Sequence, residues 1–243
     1  MFFMKCFPLF RLLIPVMFFI TCTLNAQEEY PNEGMPIRDL DGNVYRTIMT
    51  ESGVWMAENL KTVKLNDGTP LTLIRDNSEW EDTKIPAYGW YKSTVEYAET
   101  YGAIYNWYAV ETGKLCPKGW HVPTEEEWKD LMENAGDSQR SRDNAAKLKE
   151  AGTAHWKAPN DGATNEIFFT ALPAGEVSFA YSDKYEGTKT SWWTSAEDRY
   201  GRSPGESASN ANLVGLRYDF LSQSEGSYNK KSALPVRCKK DEE

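Results

Sequence analysis

The chain has 243 residues and a mass of 27.7 kDa, room for one large domain or two small ones. Its 40% hydrophobic, 26% charged and 13% aromatic residues fit a globular chain and exclude one that is disordered or membrane-embedded throughout. A formal charge of −9 excludes general attraction to nucleic acid or anionic lipid, and two histidines, His121 and His155, are too few for a multi-histidine metal site.

Lys5 and Arg11 precede an apolar run, Leu12 to Ile20, which gives way to Leu24-Asn25-Ala26 and then to polar sequence. The run is well short of the ~20 residues of a spanning helix, and Pro15 interrupts it. Residues 1–26 therefore read as a secretory signal cleaved after Ala26. Two other readings stay open: an uncleaved N-terminal anchor, and a lipoprotein signal with Cys22 as the lipid anchor. The latter is not favoured, because Thr21 is larger than the residue that usually precedes a lipidated cysteine. Secretion and lipidation both export the protein, to the periplasm, the cell surface or the medium. Residues 27–36, with Pro31, Gly34 and Pro36, read as an exposed tether. Removal of the signal leaves Cys116 and Cys238, which in an oxidising compartment form one disulfide; two buried free thiols are the alternative.

Asp39-Leu40-Asp41-Gly42-Asn43 is a turn signal before the β-rich Val44 to Ile48, and Gly53 to Met56 completes a hairpin. Asn66 to Pro70 is a further turn. Tyr97, Tyr101, Ile104, Tyr105, Tyr108 and Ala109 fall near helical spacing, and the helix is expected over Ala103–Glu111, ending at Gly113. Pro123-Thr124-Glu125-Glu126-Glu127-Trp128 carries a helix start: Thr124 caps and Glu127 completes a capping box. A third helix is expected over Arg142–Ala151. Beyond about residue 160, Ile167–Leu172, Lys189–Ser195, Ala211–Phe220 and Ala233–Lys239 read as strands. Strands, then two or three helices, then strands make an α+β layout around antiparallel sheets.

Several motifs in order carry a resemblance. They are Trp55-Met56-Ala57-Glu58-Asn59-Leu60, Tyr101 to Ala109, Leu115-Cys116-Pro117-Lys118-Gly119-Trp120-His121-Val122-Pro123-Thr124-Glu125-Glu126-Glu127-Trp128, Phe169-Thr170-Ala171-Leu172-Pro173-Ala174-Gly175, Trp192-Trp193-Thr194-Ser195 and Val236-Arg237-Cys238. Over residues 37–240 the chain resembles the Fibrobacter succinogenes major paralogous domain, found in exported proteins of Fibrobacter and Bacteroidetes. It departs at Tyr88-Gly89-Trp90, where many members carry a cysteine before the tryptophan. More distantly, Val122 to Trp128 looks like the matching segment of formylglycine-generating sulfatase-modifying factors, whose fold is C-type-lectin-like. That likeness implies a C-type-lectin-like α+β domain and, by itself, no activity.

The enzymes in that distant group bind copper through two nearby cysteines, whereas here the corresponding strand offers Cys238 alone. No G-x-S-x-G, H-E-x-x-H or P-loop pattern occurs, Glu125 to Glu127 read as a capped helix start, and His121 reads as a structural histidine. Asp39, Asp41 and Asn43 resemble the start of a calcium loop, but no glutamate follows at its twelfth position. The expectation is a non-catalytic module without cofactor or metal that binds a glycan or a surface protein. A structural part of a cell-surface assembly is the alternative, and a copper enzyme stands behind both. Trp55, Trp107, Trp120 and Trp128 are expected in the core, and Trp90, Trp156, Trp192 and Trp193 are the candidate ligand-binding residues, since aromatic rings stack on sugar faces and apolar side chains.

Overall fold

The computed structural model describes residues 32–136, 140–175, 186–198 and 209–242. The signal segment, Cys22 and residues 27–31 lie outside these.

Strand β1 (Glu33–Arg38) pairs antiparallel with β2 (Val44–Thr50), and β2 with β3 (Gly53–Met56). The Asp39 carboxylate shapes the turn by accepting the N–H groups of Asp41 and Asn43, each at 2.9 Å, and the Tyr45 hydroxyl at 2.6 Å. The expected tether is corrected here: residues 33–36 belong to a paired strand. β1 is a sheet edge, and Pro36 sits within a register irregularity between Gly34 and Ile37, where a missing N–H breaks no regular ladder.

Strand β4 (Thr72–Leu73) runs parallel to β5 (Ala87–Trp90), which pairs antiparallel with β6 (Ala103–Asn106). The helix expected over 103–111 is corrected into three pieces: a single turn α1 (Ala98–Tyr101), then β6, then α2 (Trp107–Glu111). Gly102 makes the break. Its φ is +75°, and a Cβ there would meet the Asn59 Cβ and the Leu60 carbonyl at 2.8 Å, so the chain turns at a point only glycine can occupy. Asn106 then caps α2 through the Ala109 N–H.

The short strand β7 (Trp120–His121) leads into α3 (Glu125–Glu133), whose capping box forms as expected: Glu127 N–H donates to Thr124 Oγ1, and Thr124 N–H to the Glu127 carboxylate. The third expected helix is a 3-10 segment over Arg142–Leu148, capped by Ser141. Ile167–Leu172 is corrected from strand to irregular chain, with Phe168 and Thr170 at positive φ. The late strands are β8 (Lys189–Glu197), β9 (Asn210–Arg217), β10 (Ser224–Asn229), β11 (Ala233–Leu234) and β12 (Lys239–Lys240).

Three sheets result: β1-β2-β3-β12-β7, β10-β9-β8 and the mixed sheet β11-β6-β5-β4. With three helices among the described residues, the fold is α+β. Alternation along β8 sends Trp192 and Trp193 to opposite faces, and each face meets its own apolar cluster. Trp193 packs with Tyr105, Trp107 and Leu234; Trp192 packs with Trp55, Trp128 and Phe169. The sheet is thus a partition between two cores.

The chain's end closes the first core. Cys116 and Cys238 form a disulfide with Cα atoms 6.0 Å apart. Lys239, the next residue, pairs with Trp55 of β3 and His121 of β7, and so wedges β12 between those strands. The bridge spans 122 residues of sequence, so the chain-entropy account assigns it roughly 4–5 kcal/mol as an upper figure. Replacing both cysteines by serine is expected to lower the unfolding free energy by about 2–5 kcal/mol. Urea titration of wild type and the double variant checks this, and a change below 1 kcal/mol contradicts it.

Candidate functional site

Four of the six motifs that carry the family resemblance converge on one buried cation. Arg237, 2% exposed, donates from Nε to Asn59 Oδ1 at 3.0 Å and from its two terminal nitrogens to the Phe169 and Thr170 carbonyls. Its guanidinium carbon lies 4.0 Å from the Phe169 ring centroid and 5.7 Å from that of Trp192. Trp192 Nε1 donates to the same Asn59 oxygen at 2.9 Å. Burial pushes the guanidinium pKa below its ordinary value, opposed by the charge of Glu58. Asn59, Phe169-Thr170, Trp192 and Arg237 come from four separate motifs, and all serve packing.

The candidate tryptophans divide unequally. Trp156, Trp192 and Trp193 are no more than 1% exposed, so the expectation that they face a ligand at the surface is corrected. Their indole N–H groups are bonded to the Ala171 carbonyl, Asn59 and the Tyr105 carbonyl, which lets polar rings sit inside. Trp90 is half-buried at the end of β5, edge-on to Tyr88 at 5.4 Å. Trp55, Trp107, Trp120 and Trp128 are core residues.

His121 joins the chain's end to α3. Its Nδ1 lies 2.6 Å from an Asp241 carboxylate oxygen, and its Nε2 lies 3.1 Å from both Glu127 oxygens. Lys239 Nζ donates to Glu127 at 2.9 Å. The bond to Glu127 lifts the His121 pKa; burial opposes this and Asp241 adds to it. Burial works against the Glu127 charge, but the bonds from His121, Lys239 and the Thr124 N–H outweigh it and hold the carboxyl well below the usual range. The imidazole thus clasps the end of the chain, through Asp241, to the start of α3, through Glu127.

The surface offers an aromatic patch that sequence reasoning missed. Tyr91 is buried beneath half-buried Tyr97 and Tyr101, with ring centroids 5.4 Å and 4.8 Å away and the outer two 6.0 Å apart. His155 meets Tyr101 edge-on at 6.1 Å, with its Nδ1 2.8 Å from Glu150. Lys92 Nζ lies 5.6 Å from the Tyr97 centroid and 2.7 Å from Glu186, and Lys61 reaches Glu99 at 2.5 Å. Lys92 and Ser93 hold φ of 52° and 54°, a left-handed pair that turns the chain from β5 toward Tyr97. Burial, then the charges of Glu186 and Glu150, raise the Tyr101 pKa, so the phenol stays a hydrogen-bond donor at neutral pH. The signal was the i, i+4 pair Tyr97 and Tyr101, which reads equally well as the buried stripe of a helix.

These features define a class: a disulfide-tied α+β domain whose shared motifs build its interior and whose polar and aromatic surface lies in loops. The chain belongs to the Fibrobacter succinogenes major domain family, whose sequence model matches residues 50–240. No curated protein and no solved structure matches it.

Arg237→Met is expected to cost about 2–4 kcal/mol, because the Phe169 and Thr170 carbonyls lose buried donors and the fit against Phe169 is lost. Thermal unfolding measures it, and a stability equal to wild type contradicts the assigned role. A second expectation concerns pH. The folded pKa of His121 lies above the unfolded value near 6.5, so its stabilisation is complete below about pH 6.5 and is lost as pH rises through the folded pKa. Urea midpoints between pH 6 and 9 should therefore fall more in wild type than in His121→Asn. Parallel profiles would show that the imidazole carries no such linkage.

Proposed function

We propose that the protein is an exported, non-catalytic binding module of C-type-lectin-like fold that holds a neutral glycan on the Tyr97–Tyr101 face. The carrying observation is a cluster of two half-buried tyrosines packed edge-on and tilted against a buried third, with hydrogen-bonding side chains beside it. Rings so supported present fixed apolar faces to the C–H side of a sugar, while the phenols, Glu150 and His155 supply partners for hydroxyl groups. The carboxylates beside Tyr101, Glu150 and Glu186, are each paired, with His155 and Lys92, so the border offers no strong field of either sign and suits a neutral sugar. The N-terminal signal pattern supports export, and the Cys116–Cys238 disulfide is compatible with an oxidising compartment. The same disulfide engages both sulfurs that a copper site would need as thiolates.

A second reading, a structural part of a surface assembly, is favoured by Met35 at 88% and Met49 at 53% exposure on the edge hairpin. Titration with neutral polysaccharides separates the two. The Tyr97→Ala/Tyr101→Ala variant is expected to bind at least 10-fold more weakly than wild type while keeping a cooperative unfolding transition, at a lower melting temperature because the two rings cover Tyr91. Saturable binding untouched by these substitutions moves the site elsewhere. Absence of binding to any neutral glycan, with self-association through the Met35 edge, favours the assembly reading.

A further inference from the structure

Away from the tyrosine face, a half-open cavity of about 190 Å³ lies where β1 meets the segment before the disulfide. Two larger hollows, of about 280 and 660 Å³, are lined mainly by polar and charged side chains. This one differs: Ile37, Leu40, Leu65, Leu115 and Pro117 form its walls. Leu65 and Leu115 belong to the first core, so the cavity opens directly onto packed apolar interior.

Its rim is rigid. On one side Cys116 stands between Leu115 and Pro117 and is fixed by the disulfide, while Asn66 Nδ2 donates to the Cys116 carbonyl at 2.9 Å. On the other, Leu40 occupies the tip of the β1–β2 turn, 59% exposed, a place where a polar residue would cost nothing. The turn cannot fold this leucine inward without breaking the Asp39 bonds to Asp41, Asn43 and Tyr45. Asp41 holds the turn from the outside through the Thr62 hydroxyl and the Val63 N–H, each at 2.8 Å. An exposed aliphatic side chain is thus held over an apolar cavity.

The rim is also cationic, against the overall charge of −9. Three basic side chains border it, Arg38, Lys64 and Lys118. Lys64 is paired with Asp41 at 2.9 Å, which neutralises that carboxylate, and Asp39 is satisfied by its turn. Arg38 spends one nitrogen on the Gly42 carbonyl. Lys118 is exposed, with no ion pair or hydrogen bond among the described residues. The turn's donors are neutral and leave Asp39 charged, so Arg38 and Lys118 against Asp39 leave the rim an excess of one positive charge, with Lys118 the cation farthest from an acidic partner in the chain.

We propose that this cavity binds a soluble organic monocarboxylate, whose alkyl or aryl body lies between Leu40 and the Leu65–Leu115 wall and whose carboxylate meets Lys118 and Arg38. Shape supplies the apolar half of the recognition and charge the other half. The site is separate from the proposed glycan face and does not depend on it.

The test uses the purified protein with 8-anilinonaphthalene-1-sulfonate, an aromatic anion whose fluorescence rises in apolar surroundings, and with decanoate as competitor. One saturable site is expected, displaced by decanoate and at least 10-fold less well by decanol. Leu40→Glu and Arg38→Gln/Lys118→Gln should each weaken binding at least 5-fold without shifting the melting temperature, while Tyr101→Ala should leave it unchanged. Equal competition by decanol overturns the role of the cations. Binding indifferent to Leu40→Glu places the probe elsewhere and overturns the site. Binding to phosphatidylglycerol vesicles but not to free decanoate overturns the choice of a soluble acid for a lipid surface. Loss of glycan binding in Tyr101→Ala, with probe binding intact, keeps the two sites distinct.

Discussion

A buried guanidinium sets the terms for the interior. Arg237 is enclosed, and its hydrogen bonds among the described residues go to neutral oxygens: one amide side chain and two main-chain carbonyls. An unpaired buried charge is tolerable only if acceptors are already aimed at it. Residues 165–170 provide that aim at the expense of regular structure. Asn165, Phe168 and Thr170 all take positive φ, and Asn165 stabilises the bend by bonding the Thr170 N–H at 2.7 Å and its hydroxyl at 3.0 Å. Two carbonyls that a strand would give to a neighbour are turned to the arginine instead. The irregular path of Phe169-Thr170 and the position of the last segment of the chain therefore depend on each other.

This dependence explains what the sequence showed and what it hid. The Thr124–Glu127 capping box was legible because it is a local arrangement of four residues, and Cys116–Cys238 was legible because only two cysteines lie beyond residue 26. The α+β class followed from element order. The strand expected at Ile167–Leu172 was not found, since its β-rich composition reflects packing against Trp55 and Trp128, and the controlling contact is 68 residues away. β6 was hidden for a related reason. Ala103 to Asn106 is buried on both faces, so it lacks the alternation that marks a strand, and only the collision at Gly102 reveals the turn before it. β1 and β10 were hidden as edges: polar, bent or glycine-bearing strands read as loops.

The tryptophans make the same distinction for function. Eight of nine are buried, because a sheet with a core on each face gives adjacent residues such as Trp192 and Trp193 no solvent side at all. An aromatic motif in such a fold reports packing. The exposed aromatic surface falls to residues with weaker sequence signals, here tyrosines, whose hydroxyl lets a ring remain half in water. Tyr91 shows the intermediate case, a buried ring against which two outer rings pack, one edge-on and one tilted.

Interior and surface are nevertheless connected through Asn59. Its Oδ1 accepts from Trp192 and Arg237, and its Nδ2 donates to the Tyr101 carbonyl at 2.9 Å. One amide thus uses both ends: the acceptor completes the cation's cage, and the donor fixes the last residue of α1 before Gly102 turns the chain. Both contacts lock the amide's orientation, because a flipped side chain would present NH₂ to two donors. The tyrosine face consequently inherits its geometry from the arginine site, although no ring of that face touches Arg237. Such a tether keeps a surface segment in register with the core. The side chains of residues 91–101 can therefore change while the Tyr101 main chain stays where Asn59 holds it.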